Sequence, residues 1–138
     1  MLGRTRIVAS LVAALATAGL TTVVSAGTAA ADVPVVAPYA SYAAVVDKDG
    51  KLLRGKNVEE VKRTDTGRYC VKFSAPFDAN SAIVSATLNF FAFPGSIRVS
   101  PGASGSCGND VRSVYVAAVK LDGGKFVWSD AGFTVVAF

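Results

Sequence analysis

The run KRTDTGRYCVKF, Lys62 to Phe73, decides the fold class of this chain. Asp65-Thr66-Gly67 punctuates it, and glycine takes positive φ without the Cβ penalty, so Gly67 suits the left-handed position of a short hairpin loop. Past that loop the alternation is strict. Tyr69, Val71 and Phe73 point to one side, Arg68, Cys70 and Lys72 to the other, as successive residues of a strand must. The first set reads as core. Cys70 then lies on the outer face or at an edge, where it can tie down another segment of chain.

That segment holds Cys107, the only other cysteine. Its surroundings, Pro101 to Asp110, offer no apolar anchor larger than alanine, so the loop needs a covalent staple. In an oxidising compartment two cysteines allow one intramolecular bond, and a Cys70–Cys107 disulfide is expected on the outer side of the 68–73 strand.

An oxidising destination is what the start of the chain predicts. Arg4 and Arg6 form a positive n-region, Ile7 to Ser25 is apolar or small without charge, and Ala29-Ala30-Ala31 offers an A-x-A cleavage site before Asp32. Residues 1–31 therefore read as a secretory signal peptide, 32–38 as an extended lead-in containing two prolines, and 39–138 as one domain. After cleavage no membrane segment is expected, and the protein is placed outside the cell. From position 32 onward 12 Lys+Arg face 10 Asp+Glu, a net charge of +2. A field that weak does not argue for nucleic acid as partner. Eight of those bases fall within positions 47–72, but five acids are mixed among them, which reads first as a solvated strand face and second as a patch for an anionic partner.

No stretch of the domain keeps a helical period. Short β-branched and aromatic runs separated by turn residues predict strands near 39–46, 52–54, 57–64, 68–73, 81–91, 96–100, 111–120, 125–128 and 132–138. The expected fold is all-β: an antiparallel β-sandwich, immunoglobulin-like or jelly-roll-like, with one disulfide. Tyr42 to Leu53 and Tyr115 to Val127 echo each other around Asp49-Gly50 and Asp122-Gly123, which is read as two hairpins solving the same turn problem.

The first of these turns, VVDKDGKLL from Val45, also carries the D-x-D-G with which a calcium loop begins. Such a loop needs oxygen ligands across twelve positions, a glycine at the sixth and a bidentate glutamate at the twelfth. Counted from Asp47, Lys51, Leu52 and Val58 occupy the fifth, sixth and twelfth places, so the stretch reads as a hairpin turn. With no histidine in the chain, Ser-His and Cys-His catalysis and the usual zinc hydrolase site are excluded, and no cofactor or metal is expected. Carboxylate chemistry is the least excluded form. Its conspicuous pair, Glu59-Glu60, is expected on opposite faces of one strand.

Outside the expected core the notable residues are aromatic. If Ala82, Val84, Ala86, Leu88 and Phe90 face inward, Phe91 and Phe93 fall on the other face, either as a contact patch or buried where the strand bends. Trp128 carries the same two readings, core plug or stacking platform. Phe91, Phe93 and Trp128 are the candidate ligand residues.

The stretch Asp49 to Phe73 resembles small exported actinobacterial proteins of uncharacterised function. These share D-G-x-L-x-R-G-x-x-V-x-x-V followed by T-G-x-Y-x-V-x-F, here Asp49-Gly50 to Val61 and Thr66-Gly67-Arg68-Tyr69 to Phe73. The resemblance implies a secreted β-rich domain and supplies no catalytic residues. The expected function is extracellular binding, by a monomer or weak oligomer, of an unknown protein or glycan. Second comes a protease inhibitor presenting the 101–110 loop as an extended segment, and third a small carboxylate-dependent hydrolase.

Overall fold

The computed structural model describes residues 37–89, 94–100 and 102–138. Among them nine strands form: β1 Tyr42–Val46, β2 Leu52–Lys56, β3 Val58–Asp65, β4 Arg68–Phe73, β5 Val84–Leu88, β6 Gly95–Val99, β7 Ser113–Asp122, β8 Lys125–Trp128 and β9 Phe133–Ala137. They build two antiparallel sheets packed together, the expected sandwich. One has the order β2-β1-β9-β5. The other has β3-β4-β7-β6, with β8 also paired to β7. The signal peptide expected over 1–31 lies outside the described residues, as do Phe91 and Phe93.

The core follows from alternation. Tyr69, Val71 and Phe73 of β4 are fully buried, and Val114 and Val116 of β7 meet Phe133 and Val135 of β9 from the opposite sheet. Aromatic rings stitch this layer: Tyr69 stands 5.0 Å from Phe133, and Phe73 stands 4.9 Å from Phe77, close to edge-on. Such pairs add about 0.5–1.5 kcal/mol each beyond the area they bury.

Three local features place the strands. At Asp47 to Lys51 the chain turns as a hairpin. The Asp47 carboxylate accepts the amides of Asp49 and Lys51 at 2.9 and 2.8 Å, and Gly50 takes φ +84°. Between β2 and β3, Asn57 adopts φ +55°, and the chain passes there from one sheet to the other. The β3–β4 hairpin is tighter than expected: Asp65 pairs with Arg68, so Asp65 belongs to the strand and only Thr66-Gly67 turn. Strand β5 is also shorter than the expected 81–91. Its start is displaced to Val84 because Asp78 winds the preceding residues into a turn, accepting the amides of Ser81 and Ala82.

Among the described glycines, Gly67 is the most closely packed. A Cβ there would lie 2.4 Å from the Ala118 carbonyl oxygen and 2.8 Å from the Ser129 amide nitrogen. The reason is a change of partners along β7. Up to Ala117 its edge pairs with β4, and from Val119 it pairs with β8. At the junction Ala118 donates to the Gly67 carbonyl at 2.8 Å, and Ser129 donates to the Ala118 carbonyl at 3.2 Å.

Asp130 locks this junction. Its carboxylate takes Arg63 Nε and Nη2 at 2.8 Å each, and Oδ1 also accepts the Gly67 amide at 2.8 Å. Beside it the Tyr69 hydroxyl donates to the Lys48 carbonyl at 2.7 Å, accepts from the Ala131 amide at 3.2 Å, and has Asp130 Oδ1 at 3.2 Å. The Arg63 guanidinium holds the Asp130 carboxyl below its usual range, while burial pushes the Tyr69 phenol up to about 12.

Candidate binding face

The register of the five-stranded sheet fixes which residues share its outer face. On β7 Val114, Val116 and Ala118 point inward, so Ser113, Tyr115, Ala117, Val119 and Leu121 point outward. Arg98 and Ser96 of β6 lie beside Ala117 and Val119 on one flank. On the other flank Arg68 of β4 sits beside Ala117, then Trp128 and Phe126 of β8 sit beside Val119 and Leu121. Along that flank the face reads Lys72, Cys70, Arg68, Trp128, Phe126.

Trp128 is a surface residue, not a core plug. It is 39% exposed, and the Arg68 guanidinium lies 4.5 Å from its ring centroid. A cation over an indole face is attracted by the ring quadrupole by about 0.5–1 kcal/mol at an exposed site. The Nε of Arg68 is buried without an acceptor among the described residues. The stack on Trp128 and a longer ion pair from Nη1 to Asp65, at 3.7 Å, orient this end of the side chain. Phe126 is 67% exposed, and past Ala118 no residue of the β7–β8 hairpin is buried. Between the two flanks runs a groove of about 410 Å³, with Ala117 and Val119 as floor, Phe126 and Trp128 as one wall, and Ser96 and Arg98 as the other. That volume falls within the roughly 300–1,000 Å³ of small-ligand sites.

Further along the same face lies the disulfide. Cys70 and Cys107 are bonded, their Cα atoms 5.7 Å apart, and they pack with Tyr115 and Ala117 outside the main core, as expected. The loop has supports besides the disulfide. The Gly102 amide donates to Ala79, the Ala103 amide to Asn80 Oδ1, and Lys72 pairs with Asp110 at 3.1 Å. Residues Gly105–Cys107 wind into a single 3-10 turn capped by Ser104. An inhibitor loop read as an added strand must be extended, and this part of the loop is curled.

A polar groove of about 310 Å³ beside the disulfide is lined by Glu60, Lys62, Lys72 and Asp110, among others. Regular alternation would send Glu59 and Glu60 to opposite faces. The pairing is irregular between Val58 and Glu60, and Glu59 reaches Arg112 at 2.6 Å and Lys72 at 3.4 Å, on the face that Glu60 also lines. The Asp110 carboxyl is held below its usual range by the Arg112 amide and the Lys72 ammonium. A general acid in glycoside hydrolysis needs the opposite shift. Among the described residues no three His, Cys, Asp or Glu side chains gather closely enough to hold a metal ion.

No protein-family model, curated protein or solved structure matches this chain. Its chemistry has to be read from the face itself.

Of the candidate ligand residues, Trp128 is on this face, and Phe91 and Phe93 lie outside the described residues. Phe126, absent from the sequence-derived ligand candidates, stands beside Trp128 on the same strand. A signal for it exists, because a two-residue Gly123-Gly124 turn sets Asp122 opposite Lys125, which puts Phe126 and Trp128 across from Leu121 and Val119.

Proposed function

We propose that the mature chain is an extracellular, non-enzymatic binding module that takes its ligand on the outer face of the five-stranded sheet, by stacking against Trp128 and Phe126. The observation that carries this reading is the contrast among its aromatics. Phe73, Phe77 and Phe133 are buried in the core and Tyr39 and Phe138 are exposed singly, whereas Phe126 and Trp128 stand exposed side by side along a groove with a floor of small side chains. Exposing that much apolar ring surface is costly unless a ligand covers it. The export part rests on Arg4 and Arg6, the apolar run and Ala29-Ala30-Ala31, and on a disulfide of the kind that an oxidising compartment maintains.

The test is co-sedimentation of the mature protein with the cell envelope of the producing organism, compared with the double variant Phe126→Ala, Trp128→Ala. Both residues are exposed, so each single variant should lose no more than about 1 kcal/mol of stability. The wild type should sediment with the envelope, and the double variant should stay in solution. A folded double variant that sediments equally well refutes the proposal.

A further inference from the structure

We infer that the occupant of the Trp128 groove is an anionic saccharide, one sugar ring lying on the indole and the floor and its charged group on Arg98. The inference rests on the binding reading above and adds the chemistry of the ligand. Three observations carry it.

The first is charge. Among the described residues, Arg98 is the only charged one lining the groove, no carboxylate lines it, and the Arg98 side chain has no ion-pair partner. A guanidinium in that setting matches a carboxylate held bidentately. Arg68, behind Trp128, is paired with Asp65 at 3.7 Å, so the charge offered to a ligand is that of Arg98.

The second is the floor. Strand β7 is paired on both edges along the groove, to β6 at residues 116–120 and to β4 and β8 on the other side. The floor therefore presents Ala117 and Val119 side chains and no free backbone amide or carbonyl. An extended peptide laid on that floor would bring a donor and an acceptor with every residue and find no backbone partners for them on β7. A sugar ring has a C–H face that suits the indole and the small apolar floor, and it carries its hydroxyls at the rim, where Ser96 and solvent can meet them.

The third is the shape of the wall. Trp128 is held by the Arg68 stack on a side that does not line the groove, so the ring is set in place before a ligand arrives. A preset platform lowers the ordering cost of binding.

Trp128 is the single tryptophan of the chain, so its fluorescence reports this groove and nothing else. The experiment titrates the mature protein with oligogalacturonate, with its carboxyl-reduced neutral counterpart, and with oligoglutamate, and repeats each titration on the Arg98→Gln variant. The acidic saccharide should shift the Trp128 emission saturably, with an affinity that falls as ionic strength rises. Removal of its carboxylates or of the Arg98 charge should weaken binding about tenfold or more. Arg98 is exposed, and an unchanged thermal melt shows that the variant is folded. Neutral saccharide binding as tightly as the acidic one, insensitive to Arg98→Gln, overturns the inference and leaves the stacking groove in place. Oligoglutamate matching the saccharide overturns it in favour of an acidic peptide. No emission change with any of the three, together with envelope binding by the Phe126→Ala, Trp128→Ala variant, overturns both this inference and the reading beneath it.

Discussion

Replacing Gly67 by alanine tests the account of how β7 changes partners, because two separate penalties meet at that position. Gly67 has φ +65°, and placing a Cβ in the left-handed region costs about 1–2 kcal/mol. The added methyl would also meet backbone atoms, the Ala118 oxygen at 2.4 Å and the Ser129 nitrogen and oxygen at 2.8 and 3.0 Å. These atoms belong to the hydrogen-bonded junction and cannot swing aside as a side-chain tip can, so overpacking adds about 1–3 kcal/mol. The sum is about 2–5 kcal/mol, a large share of the stability of a small domain. Gly123 supplies the control. It has φ +55° at the tip of the β7–β8 hairpin with nothing within 4 Å of a built Cβ, so Gly123→Ala carries the backbone penalty alone, about 1–2 kcal/mol. Urea unfolding of the oxidised protein measures both from the shift in midpoint at constant slope. Gly67→Ala should be the more damaging by about 1 kcal/mol or more. Equal losses would show that the junction yields freely and that the described contact does not constrain it.

The other predictions concern charge, the disulfide and the phenol. Because Arg63 depresses the Asp130 pKa in the folded state, its contribution is present above about pH 4 and lost as pH falls through the lowered native value. Asp130→Asn should flatten that acid limb in urea midpoints taken across pH, leaving the part due to Asp110. Tyr69 runs the other way: raised to about 12 by burial, it contributes fully below about pH 10 and is lost as pH climbs toward its native value. Spectrophotometric titration should find it ionising only as the protein unfolds. Thiol counting in denaturant without reductant should find none free. Removing the bond, which spans 37 residues, should cost about 4 kcal/mol by loop-closure entropy, read from the unfolding midpoint of the Cys70→Ala, Cys107→Ala variant.

Most of the architecture was legible because it depends on neighbours in sequence. Alternation in Tyr69-Cys70-Val71-Lys72-Phe73 set both the core face and the outward path to Cys107, and Asp49-Gly50 set the first hairpin. The features that escaped are those in which distant segments bear on each other. Asp130 sits in an unremarkable Ser-Asp-Ala-Gly stretch, yet it binds Arg63 and Gly67 from more than sixty residues away. The irregular pairing that brings Glu59 toward Lys72 breaks the alternation on which the opposite-face expectation rested. The place of Trp128 depends on where β4 begins, at Arg68 after the Thr66-Gly67 turn. Had β4 begun earlier than Gly67, β8 could not have occupied that flank, and neither Trp128 nor Phe126 would border a groove.

The handover at Ala118 also divides the domain by how hard each part is to open. Upstream, the amides of β7 lie between β4 and β6, over buried Val114 and Val116. Downstream, β8 is exposed at all four positions. The hairpin tip can therefore separate without disturbing the sandwich, and amide exchange should be faster at residues 121–127 than at 114–118. A ligand bridging Trp128 and Arg98 would span β8, β7 and β6 and suppress that opening. Recognition would then appear as a local gain in exchange protection at the tip, with the core amides unchanged.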